Sequence, residues 1–194
     1  MLKDLIEKNR SYRGYDPSVR LTREDLLKLV DLTRYTASSV NEQPLRYYIA
    51  WERDKVEKIL PLTMWAKALK EMKLPHPGKE PAAFIIICQD MNISSNTTRF
   101  QRDVGVVAQT MLLGAVEKGF GGCMIGSFYK PQLKELLNLP EGVEPNLIVA
   151  LGKPAEKVVL TDVGEDGSTK YYRDAEDTHY VPKRSLNELV LEAK

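Results

Sequence analysis

The chain reads as an α+β fold, a mixed β-sheet covered by helices. Three observations lead there. Helical-period segments and short apolar runs are mixed along the chain without the regular strand–helix alternation of a doubly wound parallel sheet. Residues 84–88 form a continuous β-branched and apolar run, as a central strand buried on both faces requires. The glycine-rich segment 119–126 starts a strand and does not open a helix. No G-x-G-x-x-G follows a strand, which argues against a Rossmann dinucleotide site.

In order along the chain, residues 2–9 form a short amphipathic helix with Leu2, Leu5 and Ile6 on one side. Thr22 suits the N-cap of a second helix, with Glu24 and Asp25 in its first turn and Leu26, Leu27, Leu29, Val30 and Leu32 on its apolar face. Residues 37–44 are a loop rich in Ser, Asn and Gln. A strand over 47–51 follows, then a helix over 54–60 and another near 64–72. Residues 73–81 hold three prolines and a glycine and read as a connector. After the central strand, 100–118 is the longest helix, apolar nearly all round in its second half. Gly105 and Gly114 each cost it about 1 kcal/mol relative to Ala, which points to close backbone packing at both. A strand over 122–125, a short helix over 131–137 and a strand over 146–151 come next. Residues 158–163 and 170–173 flank Gly164-Glu165-Asp166-Gly167 as a hairpin, and 185–192 close the chain as a helix. There is no internal repeat.

At 194 residues, the expectation is one domain over 1–194 with ample core. The 28 Lys and Arg against 27 Asp and Glu argue against a general binder of nucleic acid or anionic membrane. The longest strongly apolar stretch, 82–88, is too short to span a bilayer. The charged N-terminus lacks a signal-peptide core, so a cytoplasmic location is expected. Cys88 and Cys123 lie in apolar contexts and read as buried thiols. His76 and His179 are the only histidines, with no Cys/His cluster, so no metal site is expected.

Four segments can carry chemistry. Arg10, Ser11 and Arg13 follow the first helix, and Lys183 and Arg184 precede the last. If the fold joins the two ends, four cations surround one compact anion. A phosphate, with about −1.5 to −2 charges near neutral pH, suits Arg's planar fork of donors. Ser38, Ser39, Asn41 and Gln43 offer hydroxyls and amides to a polar heterocycle or polyol. Gly121, Gly122 and Gly126, with Ile125 and Ser127, let backbone approach a flat ligand closely. Each also has a plain reading: a solvated basic turn, a helix-to-strand loop, a tight helix-to-strand connection, and the flank of a surface helix. No Ser/His/Asp or Cys/His nucleophile set presents itself, and no catalytic side chain is assigned.

In this order and spacing the segments resemble the nitroreductase family of FMN-dependent oxidoreductases. The likeness rests on R-S-x-R near the N-terminus and on Ser38, Asn41, Gln43 and Pro44. Asp103 and Gly105 opening the long helix, the strand ending Ile125-Gly126, Gly152 with Pro154, and the basic pair Lys183-Arg184 complete it. It spans essentially the whole chain. Asn9, Ala37, Leu45 and Gly126 depart from it, standing where relatives often carry a basic residue, Pro, an aromatic and an acidic residue.

The resemblance implies an α+β homodimer with two FMN sites at the subunit interface. Arg10, Ser11 and Arg13 would hold the phosphate and ribityl chain, with Lys183 and Arg184 completing the phosphate site. Ala37, Ser38, Ser39 and Asn41 would come from the partner subunit. Ile125, Gly126 and Ser127 would pass beside the isoalloxazine, and Arg13 would place positive charge near its N1–C2 edge. NADH or NADPH would supply electrons, passed by ping-pong exchange to a small organic acceptor such as a nitroaromatic or quinone. Other chemistry on the same fold (reductive dehalogenation, dehydrogenation, flavin breakdown) and flavin binding without turnover are the alternatives.

Overall fold

The computed structural model describes residues 1–66, 69 and 72–191. They form two compact units, Met1–Pro154 and Ala155–Lys194.

The first unit is built on four antiparallel strands: β1 (Leu45–Ala50), β2 (Ala83–Asp90), β3 (Gly121–Ile125) and β4 (Val143–Gly152). Their order across the sheet is β1-β2-β4-β3, so β1 and β3 are its two edges. Among its described residues this unit has α-helices α1 (Leu2–Lys8), α2 (Arg23–Thr33), α3 (Arg53–Ile59), α4 (Thr97–Glu117) and α5 (Lys130–Leu136). The period-2 alternation of β2 explains why its whole run is apolar. Ile85 and Ile87 pack with Leu26 and Leu29 of α2 and with Val107, Ala108 and Met111 of α4. Phe84, Ile86 and Cys88 face the other way, onto Val56 and Ile59 of α3 and Leu133 of α5. With helices on both faces, β2 has no polar side to present.

Local chemistry sets the helix ends. The Thr22 hydroxyl accepts from the Asp25 N–H while the Asp25 carboxylate accepts from Thr22, a reciprocal cap on α2. Asn96 caps α4 by accepting from the Arg99 N–H at 3.0 Å. The helix therefore starts three residues before its apolar pattern does. Gly114 is packed as expected: a Cβ there would lie 2.4 Å from Leu32 of α2. Gly105 differs, with nothing within 4 Å of its Cβ position. No packing among the described residues explains that glycine.

The second unit contains β5 (Val158–Asp162), β6 (Tyr172–Arg173), β7 (His179–Lys183) and α6 (Leu186–Leu189). The expected hairpin of 158–163 with 170–173 does not form. The turn is there, with the Gly167 N–H donating to Gly164 O, but β7 lies between the two strands in the order β5-β7-β6. Residues 179–183 carry Pro182, which hides a strand from sequence reading. β6 pairs no further along β7 than Tyr180, so at Pro182 the strand has one neighbour, where a missing N–H is tolerated. Arg173 is buried and ion-paired with Glu156 and, at 2.9 Å, with Asp177.

The helix expected near 64–72 falls partly on residues 67, 68, 70 and 71, and the end of the last helix on 192; these lie outside the described residues. Among the described residues no helix is long and apolar enough to cross a membrane.

Candidate functional site

Two of the four chemistry-bearing segments meet at the β3 edge of the sheet. Ser11 forms a parallel bridge with Gly122, and the Tyr12 N–H donates to Gly122 O at 3.1 Å. Arg10, Ser11 and Arg13 therefore border the strand that leads into Ile125, Gly126 and Ser127. Ser11 is exposed, and Arg10 and Arg13 are half-buried. Arg10 donates from one guanidinium nitrogen to Ile6 O at 2.6 Å, while its Nε is buried with no hydrogen-bond partner among the described residues. A buried charged donor left open is costly, and an acceptor from outside the chain would satisfy it.

The glycines of this edge divide into two kinds. A Cβ on Gly121 would meet the Tyr12 ring at 2.5 Å, and one on Gly122 would meet Ala150 O at 2.3 Å. Close packing within the chain accounts for both. At Gly126 the nearest atom to a Cβ is Leu147 Cδ1, 4.0 Å away, and the residue is exposed. Gly126, just past the end of β3 from the Ser11–Gly122 bridge, thus leaves open space where a side chain would stand in the way of a flat group.

The Ala37, Ser38, Ser39 and Asn41 segment lies elsewhere. It runs directly into β1, at the opposite edge of the sheet from β3. Three strand spacings separate those edges, about 14 Å at the usual inter-strand distance. The loop is strained: Val40, Asn41 and Gln43 have φ of 49°, 56° and 51°, and a β-branched residue rarely adopts that region. It is held from α4. Asp103, only 4% exposed, accepts from Ser38 Oγ at 2.7 Å, the Ser39 N–H at 2.9 Å and Ser39 Oγ at 2.9 Å. One helical turn earlier, Arg99 reaches Glu42 at 3.4 Å. Behind the loop is a cavity of about 210 Å³ bounded by Thr36, Gln43, Arg46, Tyr47 and Asp103. Burial pushes the Tyr47 phenol up, with a hydrogen bond to Thr33 opposing it, so it stays protonated at neutral pH.

Lys183 ends β7, and Arg184 pairs with Glu188 of α6 at 3.3 Å, both in the second unit. Cys88 and Cys123 are buried free thiols, as expected. Burial, with Glu144 adding to it, pushes the Cys88 thiol up to about 12.

Sequence reading treated Asp103 only as the opening of the long helix and missed its grip on the loop. A signal was present. Asp103 precedes Val104, Val107 and Ala108, and a carboxylate among buried positions of a helix must find donors.

The family model described as "Nitroreductase family" matches residues 6–153, which lie within the first unit. A Methanothermobacter thermautotrophicus protein named for NADH dehydrogenase/NAD(P)H nitroreductase activity is 27% identical over 165 residues, covering 82% of this chain and 81% of its own. The FMN-dependent nitroreductase of Clostridium difficile R20291 superposes with a TM-score of 0.64 at 19% identity, covering 79% of this chain and 87% of its own. The NADPH:FMN oxidoreductase of Vibrio harveyi, solved in complex with NAD+, superposes with a TM-score of 0.66 at 22% identity, over 91% and 80% of the two chains. With a family model spanning the whole four-stranded sheet and helices α2 to α5, and with an α+β fold shared by those structures, this chain belongs to the nitroreductase family.

Proposed function

We propose that this protein is an FMN-dependent oxidoreductase that takes electrons from NADH or NADPH and passes them to a small organic acceptor. The observation that carries the reading is the β3 edge. There the buried, unsatisfied Arg10 Nε and the open face at Gly126 flank the Ser11–Gly122 bridge. A phosphorylated, flat cofactor answers both features. Relatives in fold named for FMN and for NAD(P)H support the choice of flavin over another such group.

When bound, FMN supplies reversible two-electron chemistry that no side chain of this protein can provide. The chain's own part is binding and positioning. Arg10, Ser11 and Arg13 bind the phosphate end by charge-assisted hydrogen bonds. Lys183 and Arg184 are assigned to the phosphate on the motif resemblance. Gly126 and Ser127 present backbone N–H groups to the ring edge, and Ile125 backs it. Ala37, Ser38, Ser39 and Asn41 are assigned to the partner subunit's flavin. A loop feeding β1 and residues bordering β3 sit at opposite edges of one sheet, and a second copy is the simplest way to join them. The exposed strip Gly105, Val106 and Gln109 on α4, with open space at Gly105, suits that second copy.

The test is Arg10→Ala. The variant should fold and bind FMN at least about tenfold more weakly, as expected for loss of a charged hydrogen bond. Undiminished FMN affinity would remove Arg10, and with it the phosphate end, from the account.

A further inference from the structure

We propose that Asp103 is the positioning residue of the flavin loop: its carboxylate holds residues 37–43 in their strained conformation and so places Asn41 for the partner's flavin. The inference rests on the flavin reading above for its last step only. The clasp itself is a matter of distances. Three donors converge on one buried carboxylate, two on Oδ2 and one on Oδ1, at 2.7–2.9 Å. Ser38 Oγ then accepts from the Gln43 N–H at 3.2 Å, so the clasp reaches both ends of the strained stretch. Residues with left-handed backbone at Val40, Asn41 and Gln43 persist only where surrounding contacts over-determine them. Here Asp103 supplies three of those contacts, with Arg99 on Glu42 adding a fourth from α4.

The clasp also decides what the loop can offer a ligand. The hydroxyl hydrogens of Ser38 and Ser39 are both given to Asp103, which leaves their oxygens as acceptors only. The Gln43 amide nitrogen is given to Asn41, to Oδ1 at 3.0 Å and to the backbone O at 3.3 Å. Among the loop's side chains, the Asn41 amide N–H₂ is the donor left for an incoming group. Asp103 stands two residues before Gly105 on α4. The helical turn that suits a second copy is thus the turn that sets the loop reaching toward that copy's flavin.

The experiment compares wild type with Asp103→Asn and with the milder Ser39→Ala, which removes one of the three bonds and guards against loss of fold. Amide exchange is measured on apo-protein, and FMN affinity by titration. Asp103→Asn should raise exchange of the loop amides about tenfold or more, with Ile85, Ile86 and Ile87 unchanged, and Ser39→Ala should do so less. The FMN dissociation constant should rise about tenfold in Asp103→Asn. Adding Asp103→Asn to Ser38→Ala/Ser39→Ala should change it less than Asp103→Asn changes wild type, because only the Ser39 backbone N–H then still reaches the carboxylate. Loop amides as protected in Asp103→Asn as in wild type would overturn the clasp. A loosened loop with unchanged FMN affinity would overturn its link to the flavin. Failure of wild type to bind FMN would overturn the functional reading instead, since the exchange measurement needs no flavin.

Discussion

Gly122 lies within β3 and Gly126 just past its end, and they are glycine for different reasons. Gly122 is glycine because a backbone oxygen of β4 lies where its Cβ would be, and no flexible side chain can yield there. Gly122→Ala should destabilise the fold by about 3 kcal/mol, read from denaturant midpoints. Gly126→Ala should leave those midpoints within about 0.5 kcal/mol and weaken FMN binding instead. If Gly126→Ala unfolds the protein and leaves flavin affinity intact, the open face at β3 has been misread. Cys88 gives a second residue-level prediction. Its folded thiol titrates at about 12, above the ordinary value of 9.0 for an exposed one. The unfolded chain therefore loses its proton first as pH rises. Stability from this group is complete below pH 9 and declines as pH climbs toward 12, at most about 1.4 kcal/mol per pH unit. Urea midpoints of wild type should fall more steeply above pH 9 than those of Cys88→Ala. Parallel curves would show that the thiol is not held neutral by burial.

Most elements were legible because they depend on local pattern. The apolar run of β2, the Thr22 cap of α2 and the periodicity of α4 each state in a few residues what the fold needs. The elements that escaped depend on neighbours distant in sequence. β7 looks like a loop because Pro182 breaks the strand signal, and only its single-sided pairing makes it admissible. The 158–173 hairpin has correct turn chemistry, yet a third strand intervenes. In the candidate site, the basic and glycine motifs were legible as chemistry, but their meeting at Gly122 is tertiary and no spacing rule contains it. Asp103 and the two serines were each visible, 64 and 65 positions apart, without any sign that they touch. The α4 helix yields its own prediction. Val106, 43% exposed beside the bare Gly105, belongs to the proposed self-interface. Val106→Glu should sediment as a folded monomer with FMN affinity largely lost. A dimer with full flavin content would place the interface elsewhere.

Across the molecule, one sheet separates the two segments proposed as half-sites. Residues bordering β3 can meet the phosphate and one side of a flat cofactor, while the loop feeding β1 is held, through Asp103, about 14 Å away at the other edge. In the proposed reading, two copies, each supplying the half that the other lacks, would resolve that separation. The composition, with 28 Lys and Arg against 27 Asp and Glu, gives the molecule no net basic field. The measurement that bears most directly on this account is the flavin stoichiometry of the purified protein, followed by anaerobic addition of NADH or NADPH. The account predicts a yellow protein with one FMN per chain, bleached by one of the two nicotinamides. A colourless protein that takes up no FMN on reconstitution would contradict it.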